Sequence, residues 1–254
     1  MPKRAVTLTL KVLTVNTHKG FTHFGRRFML HELREAIRAS HADVVFLQEV
    51  LGFHTHHARR VRKWPRTSQY EFLADSIWRD YAYGRNAVYP HGHHGNAVLS
   101  KFPIISHHNM DVSLGGHERR GLLHCILRPP KLGRELHVIC VHLGLRETHR
   151  REQVKELCRL VERKVPRDAP LIIAGDFNDW RLRAQKALSR MPGLKEVFDD
   201  SVGRVARTFP ARFPILRLDR IYVRGVKDFR PVFYYPKIWK ALSDHAPLAV
   251  DLDV

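Results

Sequence analysis

The sequence predicts a mixed α/β domain, with sheets stacked on one another and helices on the outside. Three observations carry this. Short runs rich in Val, Ile and Leu recur along the chain. Helical patterns separate only some of them. Several strand runs follow one another directly, unlike a regularly alternating βαβ chain. With 254 residues, 44% of them hydrophobic, there is material for a sizeable core. No repeat, low-complexity tract or Gly/Ser linker divides the chain, so residues 1–254 are read as a single domain.

The predicted strands are Leu8–Val15, Asp43–Leu47, Ala97–Leu99, Leu122–Leu127, Glu135–Val141, Leu171–Ala174, Leu218–Val223 and Leu248–Leu252. The predicted helices are about Arg27–Ala39, Gln69–Arg79, Thr148–Val165 and Arg181–Met191. In the third, Thr148 is the expected N-cap. Val154, Leu157, Cys158 and Val161 then recur on one face, and Pro166 stops the helix.

Charge narrows the partners. Lys and Arg number 44 against 25 Asp and Glu, a formal +19, with 18 histidines besides. Such a field attracts polyanions. Nucleic acid is the first candidate partner and an anionic membrane surface the second. The three cysteines, Cys125, Cys140 and Cys158, form no CxxC pair, which points to a reducing compartment. Met1–Lys11 has no signal-peptide pattern, and no apolar run approaches the ~20 residues that span a bilayer. A cytoplasmic protein with no transmembrane segment is expected; no protein partner is evident.

The informative residues stand where apolar runs stop. Asp43–Leu47 runs into Gln48-Glu49, and Leu171–Gly175 into Asp176-Phe177-Asn178-Asp179. A buried strand delivers such a group at a rigid, partly exposed edge. Asp176 and Asn178, two apart on an extended chain, point to one side. Alternation puts Asp219 on one face with Ile221 and Val223. If that face is the core, the carboxylate needs a partner: an Arg, or a histidine such as that of Ser243-Asp244-His245. Adjacent in an extended segment, Asp244 and His245 point to opposite sides. Asn16 and His142 each end a strand run.

These pieces together resemble the endonuclease/exonuclease/phosphatase superfamily, which includes pancreatic-type DNase and neutral sphingomyelinases. The matching pieces are Val15-Asn16, Leu47-Gln48-Glu49, Gly95–Ser100, Val141-His142-Leu143, Ala174–Asn178, Leu218–Ile221 and Ser243-Asp244-His245. They come in the family's order, and the likeness is nearest to a small bacterial branch. The resemblance implies a DNase I-like α/β sandwich, two stacked, mostly antiparallel sheets flanked by helices. It implies Glu49 as the main Mg²⁺ ligand, with Asn16 and Asp244 near the metal and Mn²⁺ as a substitute ion. It implies that Asp176 orients or deprotonates the attacking water and that Asn178 holds a phosphate oxygen. Asp219 and His245 would pair, and His142 would face the phosphate or leaving group. One departure stands out. Pancreatic-type DNases carry a Glu shortly before the strand that here begins at Ala97, paired with the histidine matching His142. This chain has His91-Gly92-His93-His94 there.

A Mg²⁺-dependent phosphoesterase is therefore expected, first a nuclease on DNA or RNA, second an enzyme for phospholipids or small phosphate esters. A basic binding module without catalysis would need none of Glu49, Asp176, Asn178, Asp244 and His245. Arg59, Arg60, Arg62 and Lys63, with Trp64 following, suit a phosphate backbone and base stacking. The histidines of His54–His57 and His91–His94, in polar stretches read as loops, could alternatively hold a borderline metal.

Overall fold

The computed structural model describes residues 8–22, 27–116, 118–234 and 236–254. The reading of Met1–Lys11 as free of a signal pattern falls outside them as far as Thr7. In chain order the strands are β1 (Thr9–Asn16), β2 (Val44–His54), β3 (Asp80–Tyr89), β4 (Gly92–Ser100), β5 (Ile104–Asp111), β6 (Gly121–Leu127), β7 (Leu136–His142), β8 (Leu171–Asp176), β9 (Lys195–Glu196), β10 (Asp219–Arg224), β11 (Asp228–Val232) and β12 (Leu248–Asp253). They form two six-stranded sheets, ordered β11-β12-β1-β2-β4-β3 and β5-β6-β7-β8-β10-β9. Each sheet is antiparallel except for one internal parallel pair, β1–β2 in the first and β7–β8 in the second.

Why the central strands read as continuous apolar runs is now plain: both of their faces are buried. In β7, Val138 and Cys140 point between the sheets with Val12, Phe46 and Ile172. Ile139 and Val141 point the other way, towards the outer helices. Helices α1 (Leu30–Ala39) and α3 (Gln69–Ala74) cover the first sheet through Leu33, Ile37 and Leu73. Helices α4 (Glu147–Lys164) and α5 (Arg183–Leu188) cover the second through Val154, Leu157, Val161 and Leu188. Between α1 and α3 lies a short helix, α2 (Thr55–Arg60); α6 (Val197–Val202) and α7 (Pro236–Trp239) are equally short. The result is the expected sandwich of two sheets between helices. No described helix is long and apolar enough to cross a membrane.

All eight expected strands are present. The four that the sequence reading missed, β3, β5, β9 and β11, are the edge strands of the two sheets. An edge strand is paired and covered less, so it carries no continuous apolar run. In β5 the four consecutive positions Ile105 to His108 are exposed. Thr148 is not the cap of α4: the helix begins at Glu147 after Arg146, which makes no side-chain capping bond. The two histidine stretches read as loops are not loops: His54 ends β2 with Thr55–His57 opening α2, and Gly92, His93 and His94 open β4.

Candidate active site

The parallel pair β7–β8 ends in register, with His142 beside Asp176, and β10 begins with Asp219 on the other side of Asp176. Three strands thus deliver three polar side chains to one row, all of them buried. The close approach depends on Gly175. Its φ is +145°, and a Cβ there would stand 2.0 Å from the Val141 carbonyl oxygen.

Asp176 is the centre of the row. Its Oδ1 accepts the Asn178 backbone N–H at 2.9 Å, and its Oδ2 accepts from Asn16 Nδ2 at 3.2 Å. Nε2 of His142 and Nε2 of His245 stand 3.6 and 3.8 Å from that same Oδ2. Burial pushes the Asp176 carboxyl up, Asp219 adds to this, and the cationic His245 opposes it; the balance is about 6.

His245 meets Asp219 as the resemblance implied, Nδ1 to Oδ2 at 2.9 Å. No ion pair to an arginine side chain involves Asp219 among the described residues; Arg220 instead donates to its backbone carbonyl. Burial alone would strip the imidazole of its proton, but Asp219, then Asp176 and Asp244, outweigh it and raise His245 to about 10. Asp244 diverges from its neighbour and faces His18.

The first sheet supplies the other half. Between Leu47 and Val50 the β2–β4 register breaks, and Glu49 at the break has φ +54°. The bulge turns the Glu49 side chain out of the ladder, a left-handed conformation that costs about 1–3 kcal/mol. Oε2 of Glu49 and Oδ2 of Asp244 lie 4.0 and 3.2 Å from one atom, His18 Nδ1, and Lys19 Nζ is 3.7 Å from Glu49. Burial pushes Glu49 up, but Lys19, His18, His94 and His245 together hold it below its ordinary value. Asn16 links the halves: Nδ2 donates to Asp176 while Oδ1 accepts the His18 N–H at 3.0 Å. Ser243 Oγ anchors the Asn16 carbonyl at 2.6 Å.

One reading needs correction. Asn178 is not extended from Asp176; its φ is +50°, and its Nδ2 donates to the Leu143 carbonyl at 2.9 Å. It reaches the site through a tight turn that Asp176 itself closes. His142 is held neutral. Burial lowers it well below its ordinary value, and Arg120, His245 and His94 add to this, so at neutral pH it has no spare proton for a leaving group. Its nearest carboxylate is Asp176, in place of the Glu that this chain lacks.

Four neighbours escaped the sequence reading of this site. His18 and Lys19 sit in a positive-φ turn after β1 (φ +45° and +58°). His94, lowered to about 4 by burial, acts electrostatically on both Glu49 and His142. Arg120 Nε donates to the Leu143 carbonyl at 3.1 Å, beside Asn178. The turn residues alone had a local signal, the polar segment directly after Asn16.

Two groups of ligand atoms invite comparison as a metal centre. Asp176, Asp219 and His245 each offer one atom within 4.8 Å of the others. However, His245 Nδ1 is already bonded to Asp219. Glu49, Asp244 and Asn16 each offer an oxygen, and the two carboxylates converge on a spot beside the His18 ring and the Lys19 ammonium. Hard divalent cations prefer that donor set, so these residues fit Mg²⁺.

Arg59, Arg60, Arg62 and Lys63 are exposed, and none makes an ion pair among the described residues. Trp64 is less free for stacking: Phe28 stacks on it at 5.0 Å and His57 packs against it at 5.3 Å. The rings of His54 and His57 stack at 3.9 Å, and no metal-ligand group forms there or at His91–His94 among the described residues.

Comparison with known proteins agrees with this geometry. The Escherichia coli K12 protein YbhP is 54% identical over 252 residues, covering 99% of each chain. An endonuclease/exonuclease/phosphatase from Beutenbergia cavernae superposes with a TM-score of 0.76 at 23% identity, over 97% of this chain and 72% of that one. The human nocturnin catalytic domain gives 0.71 at 18% identity, over 98% of this chain and 96% of that one. At those identities the two structures speak for the fold. The sequence profile of the Endonuclease/Exonuclease/phosphatase family matches residues 13–245, nearly the whole chain, and the protein belongs to that family of phosphoester hydrolases.

Proposed function

We propose that residues 1–254 act as one domain, a Mg²⁺-dependent hydrolase of phosphodiesters with nucleic acid as substrate. The observation that carries this is the row at Asp176: a buried carboxylate with Nε2 of His142 and Nε2 of His245 at 3.6 and 3.8 Å from one oxygen, and with Asp219 hydrogen-bonded to the far side of His245. Two buried carboxylates and two histidines gathered at neighbouring strand ends form a set suited to acid–base chemistry, and burial and Asp219 shift their protonation in opposite directions.

Glu49, Asp244 and Asn16 would hold the ion, which when bound stabilises negative charge on the phosphoryl and leaving oxygens. Asp176 is ionised at neutral pH yet basic enough to orient a water and take its proton. His245, charged through Asp219, donates a hydrogen bond to the phosphate. Neutral His142 donates through one ring nitrogen. Asn178 keeps one amide hydrogen for a phosphate oxygen after serving Leu143. The exposed Arg59, Arg60, Arg62 and Lys63 support a polyanionic substrate. The three cysteines, all unpaired, support a cytoplasmic location.

The test is to incubate pure protein and Mg²⁺ with plasmid DNA, RNA, a phospholipid panel and a nitrophenyl phosphodiester. Turnover of DNA or RNA well above the rest is expected. Preference for a phospholipid would refute the substrate, and no turnover of any diester would refute the reading.

A further inference from the structure

Behind the bend that carries Asp244 and His245, just before β12, lies a cavity of about 540 Å³. It shares a wall with the site. Ala246, next to His245, lines the cavity and donates its N–H to the Thr208 carbonyl at 2.8 Å. Ala211, also a lining residue, donates to the Asp244 carbonyl at 2.7 Å.

The interior is apolar, with Phe198, Val205, Trp239 and Leu248 all buried. The mouth is apolar as well, yet open to water. Phe233 lines it at 74% exposure, and Phe213, Ile215 and Ile238, each next in the chain to a lining residue, are exposed at 73%, 53% and 58%. Large side chains left exposed together mark an interaction surface. Around them stand Arg204, Arg207, Arg212, Arg217 and Lys240, none with a hydrogen bond or ion pair among the described residues. No described lining residue is acidic. An apolar hollow rimmed only by cations complements an anion attached to an apolar chain.

A nucleobase fits less well. Stacking needs an open ring face. Here Phe198 and Phe233 meet edge to face, 83° apart, and Tyr234 packs against Trp239 at 5.6 Å. Much of the remaining lining is aliphatic, and Tyr234 and Trp239 are the two uncharged hydrogen-bonding side chains among the described lining residues.

We propose that this cavity binds the anionic phospholipid of a bilayer surface, an acyl chain entering past Phe233 towards Trp239 and the phosphate resting on the arginine rim. The proposal goes beyond the phosphodiesterase reading and stands without it, since its test measures binding. The protein is incubated with vesicles of phosphatidylglycerol whose acyl chains are brominated, and tryptophan fluorescence is followed. Quenching is expected, and Trp239→Phe should remove it although Trp64, Trp78 and Trp180 remain. Phe233→Ser with Ile215→Ser leaves the charge unchanged and alters only exposed positions; it should weaken vesicle affinity at least about tenfold. Phosphatidylcholine vesicles should not bind, since each cation near an anionic surface is worth about fivefold. Equal quenching in Trp239→Phe, or unchanged affinity in the double variant, would overturn the proposal and leave the overall +19 charge as the sole attraction. An oligonucleotide that quenches Trp239 and resists displacement by vesicles would assign the cavity to nucleic acid and overturn it as well.

Discussion

His245 and Asp219 are joined by a 2.9 Å hydrogen bond between Nδ1 and Oδ2, although 26 positions separate them in the chain. The carboxylate keeps the imidazole protonated despite its burial. Asp219→Asn should lower turnover about 10²-fold and move the alkaline limb of the pH–rate profile towards lower pH. The sign follows from a raised value: His245 is charged up to about 10, so loss of its partner brings deprotonation earlier. The same bond stabilises the fold below the ordinary histidine range and ceases to do so as pH rises towards 10. Melting curves of Asp219→Asn should therefore fall less steeply on the alkaline side than those of the wild type. Unchanged limbs in both measurements would mean that the pair is structural only.

Asp176 presents the opposite case, a carboxylate whose raised value makes its ionised form a burden on the fold. Asp176→Asn should cost about 10³-fold in turnover, with a melting temperature at pH 8 close to or above that of the wild type. The wild type's acidic limb should lie near 6, where Asp176 loses its proton. An active Asp176→Asn enzyme would remove Asp176 from the base's role.

The strand ends were legible in the sequence because burial on both faces writes continuous Val/Ile/Leu runs, and a polar residue that breaks such a run stands out. Asp176 and Glu49 were found that way, and Asp219 by the alternation of its strand. What put them in one row was not legible: the register of β7, β8 and β10 is a long-range property. The bulge that turns Glu49 outward leaves no mark in Leu47-Gln48-Glu49-Val50. The edge strands stayed hidden for the reason that makes them edges, and Arg120 and His94 are brought to the site only by folding.

Gly175 makes the register itself testable. Gly175→Ala forces a Cβ to within 2.0 Å of the Val141 carbonyl at φ +145°. A destabilisation of about 3 kcal/mol or more is expected, read as a drop in melting temperature or loss of soluble protein. A normally stable variant would contradict the β7–β8 spacing at the site.

Neutralising Arg59, Arg60, Arg62 and Lys63 together to Gln should raise KM on DNA or RNA and reduce the salt slope of binding by up to about four. Turnover of a small diester should hardly change. If the four-fold variant binds nucleic acid with the wild-type slope, these side chains do not touch the phosphate backbone.

Whether Glu49, Asp244 and Asn16 hold a divalent ion, as proposed, is decided by Glu49→Gln. The substitution removes one charge without changing volume. Isothermal titration with Mg²⁺ or Mn²⁺, alongside turnover of a nitrophenyl diester with and without EDTA, reads the consequence. Weakened metal binding, loss of most turnover in the variant and loss of wild-type turnover in EDTA are the expected result. Full turnover in EDTA, or a Glu49→Gln protein that binds metal and turns over as the wild type does, would contradict it.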